Sequence, residues 1–117
     1  MRHRSALLFI LIPLLLVTAA CGGKTAATPE AQAVLDAQVQ MHQLAVDHQN
    51  TATSYFKGCT ATPRTIDVPS CNAWDTADTA WRPKYRDVGT RLVSGATAAS
   101  VASDIADLRA TLNKYKR

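Results

Sequence analysis

Three sets of residues in this chain have side chains suited to chemistry: Cys21, Cys59 and Cys71; His42 and His48; and the run "WRPKYRDVGTR" from Trp81 to Arg91. Cysteine thiols can be acylated, oxidised in pairs or bound to metal, and an odd number of them in an exported chain needs an account of the one left over. For the histidines the obvious chemistry is a helical metal pair. Such pairs sit at spacings like i, i+4, whereas a six-residue step turns the side chains apart by about 240°. His48 therefore reads as a core or rim residue and His42 as a solvated one, and no metal site is expected. In the third set Trp81 and Tyr85 alternate with Arg82, Lys84 and Arg86, and Trp74 lies two turns earlier. Such a surface would suit a sugar, a small apolar ligand or an acidic partner. Aromatic residues at helical spacing are more often core, however, and that is the stronger reading: a core beside a solvated basic face that Asp78 and Asp87 partly balance. Lys114, Lys116 and Arg117 make a second basic group at the C-terminus.

Catalysis finds little support. A nucleophile needs an adjacent base and an orienting group, and Asp47 turns to a different helix face from His48. Glu30 is the only glutamate, so a paired-carboxylate mechanism would have to recruit scattered aspartates. No catalytic residue and no cofactor is expected.

The elements that must position these residues read as helices. Thr28 and Pro29 are an N-cap followed by proline at the first helical position, with Glu30 placed to complement the dipole. Val34, Ala37, Met41, Leu44, His48, Thr51 and Tyr55 then recur at spacings of three and four, with Leu35, Ala45, Ala52 and Phe56 widening the stripe. Lys57 and Gly58 are expected to stop this helix. The segment "TATPRTIDVPS" between Cys59 and Cys71 is loop chemistry, with a brief extended piece at Ile66 and Val68. Asn72 is the expected cap of a second helix carrying Trp74, Ala77, Trp81, Tyr85, Val88 and Leu92, which Pro83 should kink or split. After a tight turn at Ser94 and Gly95, Thr97 caps a third helix on which Val101, Ile105, Leu108, Leu112 and Tyr115 keep the same rhythm. The expected fold class is all-α: a small three-helix bundle, or a helical hairpin plus a long N-terminal helix, with one closed loop.

The first 20 residues have another character. Arg2 and Arg4 precede an apolar run from Ala6 to Ala20 that is interrupted by Pro13, the layout of a secretory signal and too short for the roughly 20 apolar residues of a spanning helix. "VTAAC", Val17 to Cys21, resembles the lipobox of bacterial lipoproteins, with Thr18 where leucine is commonest. The resemblance implies cleavage after Ala20 and acylation of Cys21 as the first mature residue. It divides the chain into a signal peptide (1–20), a lipidated tether (21–28) and a helical domain (29–117). With Cys21 occupied, Cys59 and Cys71 remain as a pair in an oxidising compartment, where a disulfide is the default. Gly22 lacks the aspartate that this family associates with inner-membrane retention, so the implied destination is the outer membrane of a cell that has one. The ending "LNKYKR" also looks like the basic-aromatic end of the murein lipoprotein family, whose terminal lysine is joined to peptidoglycan. Here Arg117 is last and Lys116 stands one position too early for that linkage, so covalent attachment is not expected and noncovalent contact with the wall stays open.

Without the signal the chain has 11 basic and 9 acidic residues, a net charge of +2. That balance gives no reason to expect nucleic-acid binding. The sequence alone thus points to a membrane-anchored envelope lipoprotein acting as a noncatalytic interaction module. The alternative is binding of a small ligand or cell-wall glycan through the aromatic-basic surface, and the expected partners are the membrane, an envelope protein or peptidoglycan.

Overall fold

The computed structural model describes residues 28–117, so Cys21 and the expected signal peptide, residues 1–20, lie outside the described residues. Three helices, α1 (Pro29–Thr60), α2 (Val68–Val93) and α3 (Ala98–Tyr115), pack pairwise into an all-α bundle. No strand occurs among the described residues. None of these helices is long and apolar enough to cross a membrane.

Each helix begins on a side-chain cap. Thr28, Asp67 and Thr97 accept the backbone N–H of Ala31, Ser70 and Ser100, at 3.1, 2.8 and 3.2 Å, each filling one of the donors a helix start leaves open. Asp67 displaces Asn72 as the cap of α2, which therefore starts five residues before the expected position. Val68 and Pro69 stand in its first turn rather than in an extended piece, because proline gives up no helical hydrogen bond there. The Ser70 backbone N–H, followed by its hydroxyl, holds the Asp67 carboxyl below the ordinary aspartate range.

α1 also differs from expectation. Gly58 does not end it; the helix continues to Thr60, and Gly58 is buried. The chain folds back over this glycine: the Thr65 and Ile66 N–H groups donate to the Gly58 carbonyl, at 3.1 and 3.4 Å. A Cβ on Gly58 would stand 2.5 Å from Ile66 Cδ1. Glycine is used here for close approach, and buried Ile66 fills the space. Cys59 and Cys71 are joined across the same return, with Cα atoms 6.0 Å apart.

α2 runs unbroken through Pro83. Its end is a Schellman turn: the Ala96 N–H donates to Arg91 O and the Gly95 N–H to Leu92 O, at 2.9 and 3.3 Å, with Gly95 at φ 93°. That φ is left-handed and costs an L-residue about 1 kcal/mol. Nothing lies within 4 Å of the place where a Cβ would be built on Gly95. Gly95→Ala should therefore lower stability by about 1 kcal/mol through backbone conformation alone, and Gly95→Asn should recover part of it, as denaturant midpoints will report.

The turn makes α2 and α3 antiparallel. At the bundle end holding Thr28, Glu30 Oε1 accepts the Ala98 N–H at 3.1 Å, tying the start of α1 to the start of α3. At the other end Tyr115 packs edge-on against Tyr55 and Trp74. α1 and α3 thus run the same way, and the end of α1, the disulfide loop and the basic tail gather at one pole.

Candidate functional site

The aromatic residues of α2 are spent on the core. Trp74 and Trp81 are 7% and 5% exposed. Trp81 stacks on His48 at 4.3 Å and on Tyr85 at 4.9 Å between ring centroids, and Trp74 stacks on Tyr55 at 5.0 Å. The polar edges of these rings are satisfied inside the bundle: Trp81 Nε1–H donates to Leu108 O at 3.0 Å and Tyr85 O–H to Met41 O at 3.1 Å. Trp74, Trp81 and Tyr85 do not share one depression. Trp74 borders a groove between α1 and α2, Trp81 one between α2 and α3, and Tyr85 a third near Gly89. The ligand surface expected from these three rings is therefore not assembled.

Sequence reasoning missed Asp78. Read as balancing a solvated face, it is instead buried beside the tryptophans, 6% exposed. His48 Nε2–H donates to its Oδ1 at 2.5 Å, and the Arg82 guanidinium pairs with its Oδ2. A carboxylate only accepts, which assigns the imidazole proton to Nε2. Burial pushes the Asp78 carboxyl upward, but hydrogen bonds from Arg82 and His48 outweigh it and leave the group below the usual aspartate range. The signal was present in the sequence: Asp78 is four residues after Trp74 and three before Trp81, on the same helical line. The three groups satisfy one another. Among the described residues no buried side-chain polar atom lacks a partner, and no cluster of three or more His, Cys, Asp or Glu residues is arranged to hold a metal.

The basic residues divide sharply. Arg82 is held by Asp78. Lys84 bonds Asp107 at 2.9 Å and lies 3.5 Å from Asp104, and Arg91 bonds Asp87 at 3.0 Å and also pairs with Asp104. Lys84 and Arg91 thus tie α2 to α3, and the Arg91 hydrogen bond keeps the Asp104 carboxyl below its ordinary range. Arg86, Lys114, Lys116 and Arg117 make no ion pair among the described residues, and neither do Lys57, Arg64 and Arg109. Lys57 lies in the last turn of α1, Arg64 in the disulfide loop, and Lys114, Lys116 and Arg117 at the end of α3. They occupy one pole.

A groove of about 170 Å³ opens between α1 and α3 toward that pole. Arg109, Lys116 and Arg117 line it with Asn50, Ser54 and Asn113, and the Asp47 carboxylate lines it too. It is smaller than the 300–1,000 Å³ of common small-molecule sites. Three cations against the one Asp47 carboxylate, with amide and hydroxyl donors beside them, suit one carboxylate or phosphate group of a larger partner. Arg117 also lies over the Tyr55 ring, 5.2 Å from its centroid, which anchors the tail against the bundle. Protein-family models, curated proteins and solved structures all returned no match to this chain.

Proposed function

We infer that the chain is a noncatalytic interaction module of the bacterial envelope, acylated at Cys21 and held to a membrane on its extracytoplasmic side, that meets an acidic partner with its cationic pole. The supporting observation is the separation of cations just described: those on α2 from Arg82 to Arg91 are mostly paired, while Lys57, Arg64, Lys114, Lys116 and Arg117 collect at the pole opposite Thr28 without an ion pair among the described residues, with Asp67 as the acidic helix cap near Arg117. The 32 residues of α1 span about 48 Å, so a tether ending at Thr28 keeps that pole well away from the lipid. A carboxylate-bearing component, an envelope protein's acidic face or the peptides of peptidoglycan, would be attracted there in a salt-sensitive way.

Recovery of envelope proteins and peptidoglycan at low salt, comparing wild type with the combined Lys114→Ala, Lys116→Ala and Arg117→Ala variant, tests the contact. Exposed ion pairs are individually weak, so losing three should lower recovery roughly tenfold. Unchanged recovery would leave the tail with only its helix-capping role. The anchor is checked separately by intact mass and fatty-acid labelling. Cys21→Ser should remain uncleaved or misplaced, and a mature chain without acyl mass would remove the lipoprotein reading.

A further inference from the structure

The groove between α1 and α3 has walls of opposite charge. Asp47, Asn50 and Ser54 line it from α1, and Arg109, Asn113, Lys116 and Arg117 from α3. The first wall carries one carboxylate and no cation, the second three cations and no carboxylate. Asp47, Asn50 and Ser54 fall at steps of three and four, and Arg109, Asn113 and Lys116 at steps of four and three, so each set is a single helical line and the two lines face each other along parallel helices. Leu44, Thr51 and Leu112, all buried, form the floor.

These charges face each other without pairing. Among the described residues Asp47, Arg109 and Lys116 make no ion pair. Arg117 is partly committed elsewhere, over the Tyr55 ring and toward Asp67, whose carboxyl it helps to hold low. Asp47 is fixed from within its own helix. The Gln43 side-chain amide donates to its Oδ1 at 3.1 Å, and the Thr51 hydroxyl donates to its backbone carbonyl at 2.9 Å. Its second carboxylate oxygen accepts no hydrogen bond from the described residues. Asp47 and Arg109 are both half-buried. One acid and two bases are thus held on opposite sides of a narrow apolar floor, satisfied neither by the bundle nor by each other.

A simple anion drawn to Arg109 and Lys116 would also meet the Asp47 carboxylate, and a simple cation drawn to Asp47 would meet the two bases; each is opposed by like charge. A group carrying both charges close together satisfies both walls. We propose that the groove binds an α-amino-acid head, an ammonium and a carboxylate on one carbon, with the ammonium toward Asp47 and the carboxylate toward Arg109 and Lys116. Asn50, Ser54 and Asn113 supply neutral donors and acceptors for the remaining hydrogen bonds. A space of about 170 Å³ takes such a head and leaves the rest of its molecule outside. The proposal rests on the reading of the cationic pole as a contact surface and narrows the partner. The acidic face of a protein offers no such head, whereas a free amino acid does, and so does a diamino-acid residue of a wall peptide whose second amino-acid centre is unlinked.

Full-length protein in detergent, titrated with glycine, acetate and methylammonium and followed through the side-chain amide NMR signals of Asn50 and Asn113, tests the site. Glycine should bind roughly tenfold more tightly than acetate or methylammonium, because it makes charge-assisted hydrogen bonds to both walls. Asp47→Asn keeps an acceptor for Gln43 and should erase the preference for glycine over acetate, while Arg109→Gln should weaken both. A wall peptide with a free amino-acid head that binds more tightly than glycine assigns the head to peptidoglycan; equal binding assigns it to free amino acids. Acetate bound as tightly as glycine, a glycine preference that survives Asp47→Asn, or no shift of either amide with any probe would each overturn the proposal. If envelope recovery falls in the combined Lys114→Ala, Lys116→Ala and Arg117→Ala variant while wild type shows no glycine preference, the cationic contact stands and the head-group site alone is overturned.

Discussion

Asp78→Ala should lower the stability of this protein by about 3 kcal/mol, an effect at the low end for breaking a buried charge pair. The low end applies because Arg82, one of the two partners, is 61% exposed in its side chain and returns to water when released. His48 cannot do so, since its side chain is only 16% exposed and remains stacked on Trp81 with its Nε2–H unpaired. Asp78→Asn keeps an acceptor for one donor and should lose about half as much. The pH dependence separates charge from packing. Because the folded carboxyl titrates below its ordinary value, its contribution is complete above an unfolded pKa of about 3.9 and disappears as pH falls through the lower folded value. Wild type should therefore lose stability below about pH 4 more steeply than Asp78→Asn in denaturant titrations. Asp67 and Asp104, also held low, add slope of the same sign in both proteins. Parallel curves for the two proteins would mean that the Asp78 charge contributes nothing.

The helices were legible because their signals are local. Thr28 before Pro29, Thr97 before Ala98 and the three-four rhythm of Leu108 and Leu112 each specify structure within a few residues, and all three helices formed accordingly. The misplaced boundaries around the loop have nonlocal causes. Gly58 resembles a helix stop until Ile66, eight residues on, is seen to need the space a Cβ would fill. Asn72 and Asp67 are both good caps by type, and the pairing of Cys59 with Cys71 accompanies the earlier one. Asp78 was misread because charge outweighed register: its position placed it among the tryptophans, but its type suggested water. The basic residues could not be sorted from sequence at all, since whether Lys84 is paired depends on which carboxylates of α3 face α2. Leu35 and Phe56 belong to the apolar stripe in sequence but lie exposed on the bundle, because a stripe's width in sequence does not say which edge the neighbouring helices cover.

Removing the disulfide with Cys59→Ser and Cys71→Ser together should cost about 3 kcal/mol, the loop-closure value for a ring of this size; the sequence separation is 12. For a domain of this length that corresponds to a drop in melting temperature on the order of 15 °C. Its structural consequence should be confined to one pole. The bond secures the return of the chain over Gly58, where the loop is otherwise held by two backbone hydrogen bonds and the Ile66 contact. The far turn keeps its own supports in Gly95, the Thr97 cap and the Glu30 hydrogen bond to Ala98. Hydrogen exchange should therefore accelerate at Thr65, Ile66 and Cys71 before it does at Gly95 and Ala96. The same pole holds Lys57, Arg64 and the tail, so local opening would disperse the cations that the proposed contact needs gathered. If partner recovery falls in the double variant at a temperature where α3 is still protected from exchange, the disulfide serves the surface as well as the fold. If exchange accelerates equally at both ends, the bundle opens as one cooperative unit, and the bond contributes global stability without a separate hold on the pole.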